Sequence, residues 1–308
     1  MVEMYLIFEK AWKELLKQRV QRNDPQDAKF PDYLKGYPHF VRHIRRYDAQ
    51  KFVEMVNNAD EKTAFELVDS VLSGDIFVLK GAYTEEEVDA LRNRILSWRN
   101  KTPQAENEKI VEGRQDFHKV NNVEMQGDSY NKTKDHPHVF FRWNGDNVGA
   151  FKMIDPYWEA IKIFSGLPSD SFIKSTPKDG VIDKLSVFQY PLGFGKITKH
   201  RDPPQSQKLL LNMTLNKRGR DFAYGESGFY LVDGKSGKNV YVENIVEYGS
   251  YMCASPSLHH GAQPPMALDG SKNDKPEWET EKGRGLLAAI SVPSHHVEKR
   301  DSTVAVNN

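Results

Sequence analysis

The chain has 308 residues, 38% of them hydrophobic, and carries 43 basic against 43 acidic side chains. That apolar content supports a substantial core in one large domain or two modest ones, while the balanced charge gives neither nucleic acid nor an anionic membrane surface any electrostatic hold. Cys253 is the only cysteine, which excludes an intrachain disulfide and a clustered thiolate metal site and predicts a reducing compartment, the cytoplasm by default.

The first seventeen residues are apolar in part but are broken by Glu3, Glu9, Lys10, Lys13 and Glu14, too charged for a signal-peptide core or a spanning segment. Within them Phe8, Trp12, Leu15 and Leu16 recur at helical spacing and predict an amphipathic helix that docks on the rest of the protein. A second helix is predicted over 49–71, charged on one face and apolar on the other. Residues 75–80 (DIFVLK) predict a short strand ending at Gly81, and Thr84 with Glu87 forms a capping-box pair ahead of Val88, Leu91, Ile95 and Trp98. The polar stretch 100–135 predicts long loops around short strands, and 136–144 (HPHVFFRWN) an aromatic strand. Asp155 is expected to cap a helix with Pro156 at its first position, closed by Gly166 and Pro168.

From Asp183 onward the pattern changes to short strands punctuated by Gly and Pro: 184–190, 196–202, 208–216, 227–232, 240–242, 250–254, 258–262 and 285–292. Even spacing without long intervening helices predicts a mainly β fold with flanking helices, its core an antiparallel barrel or jelly roll. The expected organisation is an N-terminal helical segment (1–74) packed on a β domain (75–296), followed by a flexible polar tail (297–308). Gly193-Phe194-Gly195 and Gly234-Lys235-Ser236 read as turns, because neither sits in the strand-to-helix context of a nucleotide fingerprint.

His200-Arg201-Asp202 carries the chemistry. Side chains alternate along a strand, so His200 and Asp202 share a face, and Pro203-Pro204 should stop the strand and leave the pair at its exposed end. A third ligand from a distant strand would complete a two-histidine, one-carboxylate triad with open coordination positions. His259-His260 offers it, and alternation allows only one of these two neighbours to reach the metal. A zinc hydrolase usually presents H-E-x-x-H on a helix, a motif missing from this sequence.

The run from Phe188-Gln189-Tyr190-Pro191-Leu192-Gly193 through 209–216 (LLLNMTLN) to Ser257-Leu258-His259-His260-Gly261-Ala262-Gln263-Pro264 resembles the catalytic half of the Fe(II)/2-oxoglutarate dependent dioxygenases. The branch it resembles contains the phytanoyl-CoA hydroxylase-like and prolyl hydroxylase-like enzymes, and the resemblance spans 183–292, about a third of the chain. It implies a double-stranded β-helix fold, with Fe(II) held by His200, Asp202 and His260, and with 2-oxoglutarate and O2 as cosubstrates. His259 is then a neighbour that packs. The resemblance also implies that Arg284, in Gly283-Arg284-Gly285-Leu286, anchors the far carboxylate of 2-oxoglutarate. Its separation from His260 is longer than the family's, the excess falling in a polar insertion over 266–282. Asn212, Thr214 and Tyr190 are candidates for the same pocket or for ordinary core hydrogen bonds.

Substrate groups are sought outside the core, where His136, His138, Arg142 and Trp143 form the richest polar and aromatic cluster; an aromatic core strand with polar alternates is the other reading of it. His118 and Arg114 are left unplaced. The expected activity is hydroxylation of a C–H bond in a small polar metabolite, coupled to decarboxylation of 2-oxoglutarate to succinate and CO2. Peptidyl hydroxylation, and desaturation or oxidative cyclisation on the same scaffold, remain alternatives, as does a non-catalytic metal-binding sensor.

Overall fold

The structure, a computed structural model, describes residues 3–22, 24–25, 27–123, 133–204, 206–271, 275–278, 282–297 and 304–305. Helix α1 (Met4–Gln21) buries Phe8 and Trp12 of the predicted set together with Ala11, leaves Leu15 and Leu16 partly buried against the core, and Trp12 Nε1 donates to Phe164 O at 2.7 Å. After strand β1 (Ile44–Asp48), the helix expected over 49–71 is two helices, α2 (Ala49–Asn57) and α3 (Glu61–Leu72). The break is chemical: the Asp48 carboxylate accepts the Lys51 N–H and the Asp60 carboxylate the Thr63 N–H, so each aspartate starts its own helix.

Strand β2 (Ile76–Lys80) leads to α4 (Glu85–Arg99), which has the expected Thr84/Glu87 capping box. Short strands β3 (Phe117–His118) and β4 (Asn121–Val123) precede β5 (Thr133–Phe141). The strand expected over 136–144 ends at Phe141, and Arg142–Asn144 forms a tight helical turn. Helix α5 (Ala150–Phe164) corrects a second expectation: Pro156 lies inside it and Asp155 is no cap. The Asp146 carboxylate accepts the N–H groups of Phe151 and Lys152 at 3.1 and 2.9 Å, which starts the helix earlier, and Asp155 is paired with Arg142 instead.

The remaining strands are β6 (Val181–Tyr190), β7 (Lys196–Arg201), β8 (Leu210–Thr214), β9 (Gly228–Val232), β10 (Asn239–Tyr241), β11 (Tyr251–Ala254), β12 (His260–Gln263), β13 (Arg284–Pro293) and β14 (Val304–Ala305). They form two facing layers joined through β5. The larger runs β1-β2-β11-β8-β13-β6-β5 and the smaller β5-β7-β12-β9-β10. Among the described strands every pairing is antiparallel except β1 with β2, which departs from the purely antiparallel expectation. This is a jelly roll, a double-stranded β-helix.

The two faces of the larger layer have different partners. Leu185, Val187, Leu211, Met213, Leu287 and Ala289 point outward into one apolar cluster with Phe8, Trp12, Phe52 and Trp158 of the helices. On the other face Val78, Met252 and Ala254 meet Phe229 and Leu231 of the smaller layer. The expected tail is described only at 297 and 304–305, where β14 pairs with His200 and Arg201 of β7; residues 298–303 and 306–308 lie outside the described residues. Among the described residues no helix is long and apolar enough to cross a membrane.

Candidate metal centre

His200 and His260 face each other directly across the β7/β12 ladder, their rings 4.1 Å apart between centroids. Directly opposed residues on antiparallel strands share a face, so backbone pairing itself brings the two imidazoles together. Asp202 follows immediately after β7, and its N–H is held by Pro256 O at 3.0 Å. The carboxylate oxygens stand 3.8 Å from His200 Nε2 and 3.4 Å from His260 Nε2. Among the described residues these three form the one group of its kind, with ligand atoms within 4.8 Å of one another.

The tautomers suit a metal. His200 Nδ1 lies 2.7 Å from Thr198 O and His260 Nδ1 2.7 Å from Leu258 O. A carbonyl only accepts, so each Nδ1 carries a proton and each Nε2 is the nitrogen turned toward Asp202. Metal-bound histidines are commonly oriented by such carbonyl contacts. Burial, then the neighbouring His260, pushes the His200 pKa down to about 4, which keeps its nitrogen free of a proton at neutral pH. Two buried imidazoles and one part-exposed carboxylate therefore fit a divalent metal with open positions.

A local irregularity shapes this end of the ladder. Between the His260/His200 and Ala262/Ile197 pairs the register shifts, so β7 spends an extra residue against Gly261. A Cβ on Gly261 would fall 2.6 Å from the Tyr230 hydroxyl and 3.0 Å from Ile197 O. A larger residue there would have to displace the Tyr230 ring beside His260.

His259 points the other way, as alternation requires. It packs against Phe40 (4.8 Å between ring centroids) and lies near His39 and the buried Arg201, behind the smaller layer. Its pKa is pushed down to about 3 by burial, with Arg201 adding repulsion. A cleft of about 570 Å³ opens on that rear side, lined by His39, Phe40 and Arg42 among others, and does not include the triad.

The larger layer supplies a polar inner face. Arg284 is opposite Tyr190, Leu286 opposite Thr214, and Ala288 opposite Asn212, so Tyr190, Arg284, Asn212 and Thr214 share one face, the one turned toward the smaller layer. Arg284 is completely buried, lies 5.4 Å from the Tyr190 ring and 5.3 Å from the Phe229 ring, and the Phe229 ring is 5.6 Å from that of His260. Arg284 Nε donates to Glu243. Its Nη1 and Nη2, and Asn212 Oδ1, have no hydrogen-bond partner among the described residues. A second cleft, about 410 Å³, reaches Thr214 and Glu243.

The expected substrate cluster lies away from the triad. His136 pairs with Gln189 and His138 with Val187, which puts both histidines on the outward face, beneath α4 and opposite to Tyr190 and Arg284. There His118, unplaced by sequence, completes a packed trio: its Nδ1 lies 2.8 Å from His136 Nε2, and the His136 and His138 rings stack 4.6 Å apart. Arg142 is bound to Asp183 at 2.7 Å and to Asp155 at 2.6 Å, a brace between β6 and α5. Trp143 stacks on Phe141 at 4.5 Å and donates to Arg114 O at 2.8 Å. None of the four joins the triad.

Sequence reasoning missed two inner residues. Asp135, one step before His136, alternates to the inner face; it is 2% exposed, its Oδ1 lacks a partner among the described residues, and its charge reaches Tyr190. The signal was available in the strand's own alternation, where Asp135, Pro137 and Val139 are the inward set. Glu243 lies on a short helical turn after β10, with no local pattern to mark it.

No family model matches the chain, and no curated protein matches it. Solved structures of similar shape include a Burkholderia pseudomallei oxidoreductase of the 2OG-Fe(II) oxygenase family, 10% identical, covering 82% of this chain and 94% of that one at a TM-score of 0.41. A Trichoplax adhaerens prolyl hydroxylase in complex with a hypoxia inducible factor peptide is 11% identical, covering 79% and 90% at a TM-score of 0.44. A Neurospora crassa protein in complex with alpha-KG and thymine is 13% identical, covering 83% and 87% at a TM-score of 0.42. Likenesses this distant carry no chemistry to this chain.

Proposed function

We propose that this protein is an Fe(II)/2-oxoglutarate dependent oxygenase that hydroxylates a C–H bond of a small polar metabolite. The observation that carries the reading is the convergence of His200, Asp202 and His260 with both Nδ1 protons committed to carbonyls. Iron(II) bound there would supply a redox-active centre with positions left for a keto acid and dioxygen. His200, Asp202 and His260 would hold it, and the paired Nη groups of Arg284 would receive the far carboxylate of 2-oxoglutarate as a fork. Tyr190, Asn212 and Thr214 line the same inner face. Asn212 Oδ1, a buried acceptor without a partner among the described residues, favours a substrate that brings its own donor. A reducing cytoplasm suits both the ferrous state and the single buried thiol of Cys253.

The test is anaerobic addition of Fe(II) and 2-oxoglutarate while recording the visible spectrum. The weak charge-transfer band of the chelate is expected in the unaltered protein and in His259→Ala, and is expected to vanish in His200→Ala and His260→Ala. Arg284→Ala should weaken 2-oxoglutarate binding at least about ten-fold while metal binding persists. A folded protein without the band would overturn the oxygenase reading. Succinate release stimulated by peptides and by no small metabolite would overturn the substrate class alone.

A further inference from the structure

Arg284 projects from the first residue of β13 with no exposure to solvent. A guanidinium has two usable donor edges, one formed by Nε with an Nη and the other by the two Nη groups. Glu243 engages Nε, and Glu243 Oε2 has no partner among the described residues, so it grips the guanidinium by one oxygen and leaves the Nη1/Nη2 edge open.

The grip is built into the backbone around it. Gly228, at φ +90°, stands against the carboxylate, and a Cβ there would lie 2.8 Å from Oε2 and 3.1 Å from the carboxyl carbon. The next residue, Asn244, accepts from Arg218 Nη1, which ties the turn carrying Glu243 to a second guanidinium. Arg218 is itself 7% exposed and feels both Glu243 and Arg284. Two buried cations around one buried anion leave one positive charge over, which is the complement of one carboxylate.

We propose that Glu243 is a positioning residue: by holding Arg284 at Nε it turns the Nη1/Nη2 edge toward the far carboxylate of 2-oxoglutarate. The inference rests on the oxygenase reading. It gives Glu243 two effects of opposite sign. Its oxygen orients the fork, which strengthens binding, and its charge stands near the incoming carboxylate, which weakens it. A glutamine in its place keeps the acceptor and removes the charge, whereas an alanine removes both.

The test is a 2-oxoglutarate titration of the Fe(II)-loaded protein without oxygen, read by the visible band, beside an Mn(II) titration without cosubstrate. Glu243→Ala is expected to weaken 2-oxoglutarate at least about ten-fold, and Glu243→Gln to bind it as tightly as the unaltered protein or more so. Mn(II) affinity should be unchanged in both. Glu243→Asp, one methylene shorter, gives a second truncation and should weaken binding in the same direction should the alanine variant fold poorly. Equal or tighter binding by Glu243→Ala would show that Glu243 competes for Arg284, and equal weakening by glutamine and alanine would show that the acceptor is irrelevant; either overturns the assignment while leaving the oxygenase reading intact. If the unaltered protein forms no band, both fall together.

Discussion

Burial without a full set of partners governs Asp135. Burial, with Glu108 adding repulsion, pushes its carboxyl up to about 8 from an ordinary 3.8. Between those values the folded chain holds a proton that the unfolded chain has released, so this residue's contribution to stability is complete below about 3.8 and is lost as pH rises through 8. Asp135→Asn, nearly isosteric and uncharged, should therefore raise the thermal midpoint at pH 8 and change it far less at pH 4.5. A larger gain at the acid end would mean that the carboxyl is ionised in the fold. Asp135 also shows what single residues disclose in a sequence. The three candidate ligands were legible because His-x-Asp and a distant His-Gly combine residue types of narrow chemical use. Glu243 was not, because an isolated carboxylate in a polar stretch usually faces water, and Asp135 was passed over because the strand whose alternation turns it inward was expected to begin only at His136.

At the scale of elements, the two faces of one strand were the hardest to tell apart. The stretch from Asp135 to Trp143 holds both an inward and an outward set, and its histidines and arginine, the more conspicuous residues, belong to the outward one. Arg142 illustrates the consequence. It bridges Asp155 of α5 and Asp183 of β6, and Asp183 also takes Lys162 at 2.6 Å and the Ser291 hydroxyl at 2.8 Å. Removing one member of a buried ionic cluster leaves the others uncompensated, at a cost of about 3–5 kcal/mol. Arg142→Met should thus lower the denaturant midpoint by that order while the 2-oxoglutarate band of the surviving folded protein is unchanged. A lost band with normal stability would mean that Arg142 acts on the cosubstrate and not as a brace. The capping box of α4 was readable because it is local in sequence. The start of α5 was not, because Asp155-Pro156 imitates a helix start, and the competing partner of Asp155 comes from the turn after β5.

The whole molecule was legible as a class and less so in its joins. Eight short strands separated by Gly and Pro predict a jelly roll, but the parallel pairing of β1 with β2 depends on a contact between Ile44–Asp48 and Ile76–Lys80 that neither segment advertises alone. A global property follows from the histidines that the fold keeps neutral. Burial lowers His138 well below 6.5, His200 to about 4 and His259 to about 3, with repulsion from Arg201, His39 and Lys199 adding to the last. Depressed values mean that the unfolded chain takes up protons first, so the stability from these groups is held above about 6.5 and lost as pH falls toward the folded values. Burial lowers His39 and His136 as well, and Asp135 acts in the opposite direction. The metal-free protein should accordingly lose urea resistance steeply between pH 6.5 and 4.5, and a flat profile there would mean that the imidazoles are already solvated.

The direct opposition of His200 and His260 has a further consequence. Because both come from one rung of the β7/β12 ladder, their separation measures whether the two strands are zipped correctly. A slip of β7 by one residue would set Lys199 or Arg201 against His260 and leave a single imidazole in that rung. Ion binding would therefore select molecules with the right pairing and draw the population toward them by mass action. The centre would thus act as a proofreader of its own barrel, separately from any reaction carried out within it.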